Sequence, residues 1–575
     1  MKLRRTPRRV LAPVAAAAAA ALTGALVATT PAQSAPPVED CAAPYPIADL
    51  VPDQPVTGLT VSKGTTPEPF TGQVIGVLDN GIGPGLEMVM VRLTSTEIDR
   101  VGGIWAGMSG SPVYAADGRL IGAVAYGLAW GPSPVAGVTP FEDMDDYLAA
   151  APTKVRVPRA DARSIAAATD VTAAQAQQGF AELPLPLTVS GVSAARLANV
   201  KDRPYLDKTA HATSGSSAAV TAGPETLVAG GNLAFGAAYG EVSIAATGTV
   251  TSVCGGKVVG FGHPATFGGT VTAGLHPADV LYVQEDSLGA PFKVSNMGAP
   301  VGTITDDHQT GVTGTFASVP VPATVSSTVT YGSRSRTGVS EVEMPSYAAN
   351  TVYYQVAGNH DRVVDGYFPG SENESFVVTG TGPTGAPFTV DLSDRYVSSE
   401  AISDAVSYEN ADTVWYLSRL PGVTIGSVTT DGTVVNNANT WTVASLEYRA
   451  GGSWIPVAPR GRVLGTAGTT LRLRAVLSGT DDATRKVALS VDLPRTLAGT
   501  RGSLELVGGG ELYTSYWDAQ SLKQFLKLAR ADVRNDAVVA QLYADTGGRG
   551  TTRTVESAPT QRVVQGMKGF RLVVQ

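Results

Sequence analysis

Residues 104–127 read IWAGMSGSPVYAADGRLIGAVAYG, and the reading of the whole chain turns on the hexapeptide Gly107-Met108-Ser109-Gly110-Ser111-Pro112 at its centre. A serine set between glycines is followed by Ser-Pro and then by two short apolar runs, a loop-then-hairpin pattern. Glycine lets the backbone turn tightly without a Cβ clash. Such a turn can aim the amides of Gly107 and Ser109 at one point, where a developing negative oxygen would be held. Ser109 is therefore a candidate nucleophile and the two amides a candidate oxyanion hole. The competing reading is an ordinary Gly/Ser loop between strands.

Outward from this loop the pattern stays β. Gln73–Leu78 and Met88–Leu93 precede it as apolar runs between Gly/Pro turns. Val113–Tyr114 and Leu120–Tyr126 follow it across Asp117-Gly118, a strong hairpin signal. Acidic residues at the start of 140–150 suit a short helix. Residues 151–224 read as a connector, with weak helical spacing over Ala160–Ala181 that Leu183-Pro184-Leu185-Pro186 ends. Strand-like runs resume at Glu241–Ala246, Gly248–Val253, Lys257–Phe261, Val280–Val283 and Gly302–Thr305. Gly255–Gly260 (GGKVVG) echoes Asp117–Gly122 (DGRLIG), as two related half-barrels would. The expected organisation is a leader at 1–35, an extended lead-in at 36–69, a Ser-bearing half-barrel at 70–150, the connector at 151–224, a His-bearing half-barrel at 225–320 and a β-rich C-terminal region at 321–575. In that last region Leu471–Leu477 and Val487–Leu493 alternate like neighbouring strands of a sandwich. Ser521 with Gln524 opens a helix expected to run to about Asp536 and to dock on the sandwich.

Composition narrows the class. Charged residues are 16% of the 575, below the ~25% of ordinary soluble chains, and the 65 glycines fit a turn-rich β protein. A net charge of −8 argues against a nucleic-acid partner. Lys2, Arg4, Arg5, Arg8 and Arg9 precede an Ala-rich apolar stretch from about Leu11 to Val27, and Ala32-Gln33-Ser34-Ala35 offers small residues for cleavage, so export through a signal peptide is expected. Cleavage there takes five positive charges and moves the net charge to −13, with no stable membrane insertion expected afterwards. The two cysteines, Cys41 and Cys254, can form one disulfide in an exported chain; two buried free thiols are the alternative. No Cys/His cluster has metal-ligand spacing, and neither metal nor organic cofactor is expected.

A serine nucleophile needs a base within hydrogen-bond reach. The five histidines, His211, His263, His276, His308 and His360, all follow Ser109. The order His…Asp…Ser is thus impossible, although such constellations are recognised by geometry rather than by order. His263 is the preferred base, because Val259-Gly260-Phe261-Gly262-His263-Pro264 places it at the end of an apolar strand. His276 is a second strand-end histidine, His308 suits an exposed turn, and His211 and His360 look incidental. Asp306 and Asp307 lie 43 and 44 residues beyond His263, close to the roughly 45-residue His-to-Asp interval of the chymotrypsin example. Asp307 is preferred as the orienting carboxylate, with Asp306 as its rival; Asp99 belongs to the other half-barrel.

The chain resembles the SpoIVB-type serine peptidases over roughly residues 70–320. The resemblance is carried by Gly102-Gly103-Ile104 leading into GMSGSP, by Gly118–Val124 (GRLIGAV), Ile244–Thr251 (IAATGTVT), Phe261-Gly262-His263-Pro264, Phe292–Asn296 (FKVSN) and Gly302-Thr303-Ile304. It implies a chymotrypsin-like double β-barrel with Ser109 as nucleophile and His263 as base, cutting a protein or peptide substrate. The half-barrels stand in swapped order, since the sporulation peptidase has its Gly-His segment first and carries a PDZ domain that this chain lacks. The Ser-first order is similar to that of exported SpoIVB-domain proteins of other bacterial groups. The acidic position upstream of the Ser loop in the sporulation enzyme falls near Thr94, so that role does not transfer. The alternative is a catalytically silent member acting as a secreted binding or envelope-scaffold module.

Overall fold

The structure, a computed structural model, describes residues 39–575 except 130, 145–153, 156, 170, 186, 207–210, 214–221, 287–289, 317–319, 321 and 546–549. The expected leader lies outside these residues.

Six strands, β1 (Pro55–Thr60), β2 (Glu68–Gly83), β3 (Leu86–Thr94), β4 (Pro112–Tyr114), β5 (Leu120–Leu128) and β6 (Val135–Pro140), pair antiparallel in the order β4-β1-β2-β3-β6-β5. β5 also pairs with β4, so the sheet closes on itself. Closure leaves no unpaired edge within the ring. Its interior holds Val56, Val89, Val91, Val113, Ile121, Val124 and Val138. The Asp117-Gly118 turn joins β4 to β5 with Gly118 at φ +86°.

The connector contributes four short strands. β7 (Lys154–Val155) and β8 (Phe180–Glu182) extend the first sheet beyond β5, whereas β9 (Leu187–Ser190) and β10 (His211–Thr213) extend the second. That second sheet contains β11 (Asn232–Gly240), β12 (Ser243–Cys254), β13 (Lys257–Gly260), β14 (Gly269–Gln284), β15 (Phe292–Met297), β16 (Gly302–His308) and β17 (Gly311–Thr315). All but β15 form another closed antiparallel ring, in the order β12-β13-β17-β16-β14-β11, with β11 returning to β12. β15 hangs from the outer half of β14. Leu233, Phe235, Val250, Val258, Phe261, Leu275, Ile304 and Val312 fill this barrel. The chain is thus mainly β, with two closed six-stranded barrels. The two runs expected at Glu241–Ala246 and Gly248–Val253 are one strand, β12, because Thr247 and Gly248 pair straight through with Ala234 and Leu233.

Beyond the barrels the fold differs from the expected sandwich with one helix. The second sheet continues from β11 through Arg334–Val342, Ala323–Tyr331, Thr424–Val435 and Gly370–Thr381, and two long helices, Ala348–Val363 and Ile402–Ser418, share a core with it. Two five-stranded sheets then sandwich Leu446, Leu473, Leu504 and Leu542. Leu471 and Leu473 lie opposite Val491 and Leu489, the neighbouring-strand register expected from their alternation. The helix capped by Ser521 spans Leu522–Ala531 and stops short of Asp536. Its Phe525 packs into the core of the two long helices rather than into the sandwich. Cys41 and Cys254 are bridged, tying the lead-in to the end of β12.

Candidate active site

The two barrels meet at the Ser109 loop, and its glycines are needed there. Gly107 and Gly110 both sit at φ +96°, in the left-handed region that side chains disfavour. A Cβ on Gly110 would stand 1.9 Å from the Thr249 carbonyl oxygen and 2.5 Å from the Phe261 amide, so only glycine lets the loop reach the other barrel. The Met108 amide donates to the Trp105 carbonyl at 3.0 Å and the Ser111 amide to Met108 at 2.8 Å, which closes the turn. Among the described residues, the amides of Gly107 and Ser109 donate to nothing.

β12 grips this turn from the second barrel. The Thr249 amide donates to the Ser109 carbonyl at 2.8 Å. Thr249 Oγ1 donates to the Gly107 carbonyl at 2.9 Å and Thr251 Oγ1 to the Gly110 carbonyl at 2.8 Å. The first barrel reciprocates: Thr139, on β6, donates its hydroxyl to the Gly262 carbonyl at 2.6 Å. His263 therefore leaves β13 through a turn held at both ends. Phe261 and Gly262 stand at φ +69° and +72°, and the buried Phe261 ring anchors the strained turn in the barrel core.

The result is a contact between residues 154 positions apart, with Ser109 Oγ 2.8 Å from His263 Nε2. The other ring nitrogen, Nδ1, faces the Pro264 carbonyl oxygen at 2.8 Å. A carbonyl can only accept, so Nδ1 carries the proton and Nε2 is left to accept from the serine hydroxyl. Asp307, expected to hold the imidazole itself, does not touch it. Its Oδ1 accepts from the Ala265 amide at 2.7 Å, and its Oδ2 accepts from the Thr266 amide and hydroxyl at 2.7 Å and from the Gly268 amide at 3.3 Å. The Ala265 N–H and the Pro264 C=O belong to one peptide group. The carboxylate thus acts on the ring through that group, hydrogen-bonded at both ends and polarised by the charge. The correction is geometric, because the turn after His263 places backbone donors between ring and acid.

Ser109 and His263 are 0% and 1% exposed. Burial pulls the imidazole pKa down to about 4, against a smaller upward push from the Pro264 carbonyl and the Asp307 charge. At neutral pH the ring is uncharged, as a base must be.

Lys293, on β15, is a site residue that chemical reasoning from the sequence passed over. Its stem lies under Gly107, whose Cβ would stand 2.9 Å from Lys293 Cδ. Its Nζ donates to Asn232 Oδ1 at 3.0 Å and to Thr249 Oγ1 at 3.1 Å, bracing the threonine that grips the loop. Burial lowers this amine to about 7. The available signal was a lone lysine in an otherwise uncharged stretch, Phe292–Met297.

The remaining candidates lie elsewhere. His276 is buried between Glu343 and the Gly298 carbonyl, and His360 between Glu372 and the Val356 carbonyl, so both nitrogens of each ring are engaged. His308 stands 3.7 Å from Asp306, which points to the other face of β16 from Asp307. His211 starts β10, and Asp99 is exposed on the helix Thr96–Val101. Among the described residues, the one acidic or sulfur cluster compact enough for an ion is Glu39 with Cys41 and Cys254, whose sulfurs are bonded to each other. No protein-family model, curated protein or solved structure matches the chain.

Because folding holds His263 neutral down to about pH 4, the unfolded chain takes up this proton first on acidification, below its ordinary 6.5. Stability should therefore fall as pH drops from 6.5 towards 4, by about 3 kcal/mol from this residue. Thermal melts of the wild type and His263→Gln across that window should show the steeper acid loss in the wild type. Parallel curves contradict the assignment.

Proposed function

We propose that the protein is an exported serine endopeptidase whose two barrels correspond to the half-barrels of the chymotrypsin-like superfamily in swapped order. The observation that carries this reading is the 2.8 Å contact between Ser109 Oγ and His263 Nε2, made by loops of two different barrels. Two unengaged amides beside the hydroxyl and the quoted likeness to SpoIVB-type peptidases support it.

In the proposed reaction, Ser109 Oγ bonds to a peptide carbonyl carbon while its proton passes to His263 Nε2. The carbonyl oxygen becomes an oxyanion facing the Gly107 and Ser109 amides. Collapse breaks the C–N bond, and the Nε2 proton moves to the leaving amine. Water then attacks the acyl-serine ester by the same route in reverse, giving its proton to Nε2 and returning the hydroxyl. Asp307 is a positioning residue: it holds the peptide group that fixes the ring tautomer and favours the imidazolium formed in between. The substrate is a protein or peptide, and the net charge of −8 argues against a nucleic acid. Export rests on residues 1–35; among the described residues no helix is long and apolar enough to cross a membrane.

A fluorophosphonate probe should label the folded protein on Ser109, and labelling should vanish in Ser109→Ala. His263→Ala should slow it by about 10²–10⁴-fold, the usual contribution of a general base. Absence of labelling in any folded form points instead to a silent binding or scaffold module. Asp307→Asn, which leaves one acceptor oxygen for donors on both sides, should lower kcat by about 10–100-fold with little change in KM, a smaller loss than a directly bonded triad acid gives. An unchanged kcat removes Asp307 from the machinery.

A further inference from the structure

A nucleophile that is 0% exposed cannot meet a peptide, so something covers it. The connector enters the core that holds Met108, the residue before Ser109. β8 pairs antiparallel with the outer end of β5, with Phe180 opposite Leu128, Ala181 opposite Gly127 and Glu182 opposite Tyr126. The Leu183 amide continues the ladder to the Ala125 carbonyl at 3.0 Å. Leu183 is buried in the same core as Trp105 and Met108 of the serine loop, with its side chain against Gly127. It lines a cavity of about 230 Å³ whose other walls include Ile104, Gly127, Leu128, Pro132 and Ser133, with Glu182 of β8 the one charged residue in the lining. Two residues on, Leu185 packs on the core of the second barrel, and β9 then joins β12. Leu183-Pro184-Leu185 thus passes from the core of the first barrel, which holds Trp105 and Met108 of the serine loop, to that of the second.

We propose that residues 180–184 are an internal ligand of the peptidase cleft: the connector is bound there as an extended substrate would be, with Leu183 in the specificity pocket, and blocks the site. This rests on the peptidase reading and deepens it, since it names the class of substrate. That class is an extended peptide added as a strand to β5, with a leucine-sized apolar side chain on the residue nearest Ser109. Two observations make the strand a block rather than a substrate. The bond following Leu183 leads into Pro184, whose ring removes the N–H and restrains the backbone. The Gly107 and Ser109 amides donate to nothing among the described residues, so the Leu183 carbonyl does not occupy the oxyanion position. Access requires β8 to leave β5 while both barrels stay closed, which the topology permits because β8 lies outside the first ring.

The test uses the full chain carrying Ser109→Ala, so that binding is read without turnover, and a fluorescein-labelled peptide of the sequence Gln178–Leu185 (QGFAELPL). Adding Leu183→Ala to the chain removes the pocket anchor of its own strand, Leu183→Asp removes it more fully, and thermal melts show whether each chain folds. By fluorescence anisotropy the peptide should bind the Leu183→Ala chain at least tenfold more tightly than the chain with its own leucine. A peptide with aspartate in place of that leucine should not bind. Equal affinity for the two chains, or binding to neither while the melts show both folded, overturns the proposal. In chains that keep Ser109, Leu183→Ala should also speed fluorophosphonate labelling at least tenfold, and an unchanged rate in a labelled protein counts against the block. If no chain labels, the peptidase reading fails, whereas occupation of the cleft still stands or falls on the anisotropy.

Discussion

Thr249 is the point on which the site depends. Its amide and hydroxyl hold the carbonyls of Ser109 and Gly107, so one residue of the second barrel sets the shape of a turn that belongs to the first. Both bonds are buried, and losing either would strand a desolvated carbonyl, which typically costs ~1–3 kcal/mol. The turn has few other ways to keep Gly107 at positive φ with its amide free. The Thr139 bond to Gly262 works in the opposite direction, so the barrels position each other's functional loop. Neither barrel alone carries a complete site.

Electrostatically the site is arranged so that its buried imidazole and amine are held towards neutrality. His263 is uncharged because burial outweighs the pull of Asp307, and Lys293 is pushed towards neutrality by burial with only neutral oxygens around its amine. The Asp307 carboxylate, which acts on the imidazole, is held by three backbone amides and a hydroxyl. That arrangement avoids an unpaired buried ion while leaving a field that favours a proton arriving on the ring. Admitting water would raise the imidazole pKa, since desolvation is the main cause of its lowered value.

Ser109 and His263 were both legible because their surroundings are local: glycines at tight turns, and strands ending where a side chain can emerge into a seam. The Leu471–Leu477 and Val487–Leu493 strands were legible for a similar reason, since each keeps one face in a core. The path from Asp307 to the ring was not legible, because it depends on which donors the five residues after His263 turn towards the carboxylate. The helices Ala348–Val363 and Ile402–Ser418 escaped for a different reason. The first is buried almost all round, with Asn350, Gln355, Asn359 and His360 each hydrogen-bonded inside the protein, so no polar face marks its period. β8 is three residues long and follows an Ala/Gln-rich segment, and only its partner β5 makes it a strand.

The two barrels bring the Ser109 hydroxyl and the His263 imidazole together, with the Gly107 and Ser109 amides unengaged among the described residues. A crystal structure of the protein reacted with a peptidyl boronic acid bearing a leucine side chain next to the boron tests all of these together. The proposed reading expects a bond from boron to Ser109 Oγ, a boronate oxygen on the Gly107 and Ser109 amides, and the leucine in the place that Leu183 now holds. An inhibitor bound through any other residue, or density for residues 180–184 still paired with β5 beside an unmodified Ser109 at saturating inhibitor, would contradict it.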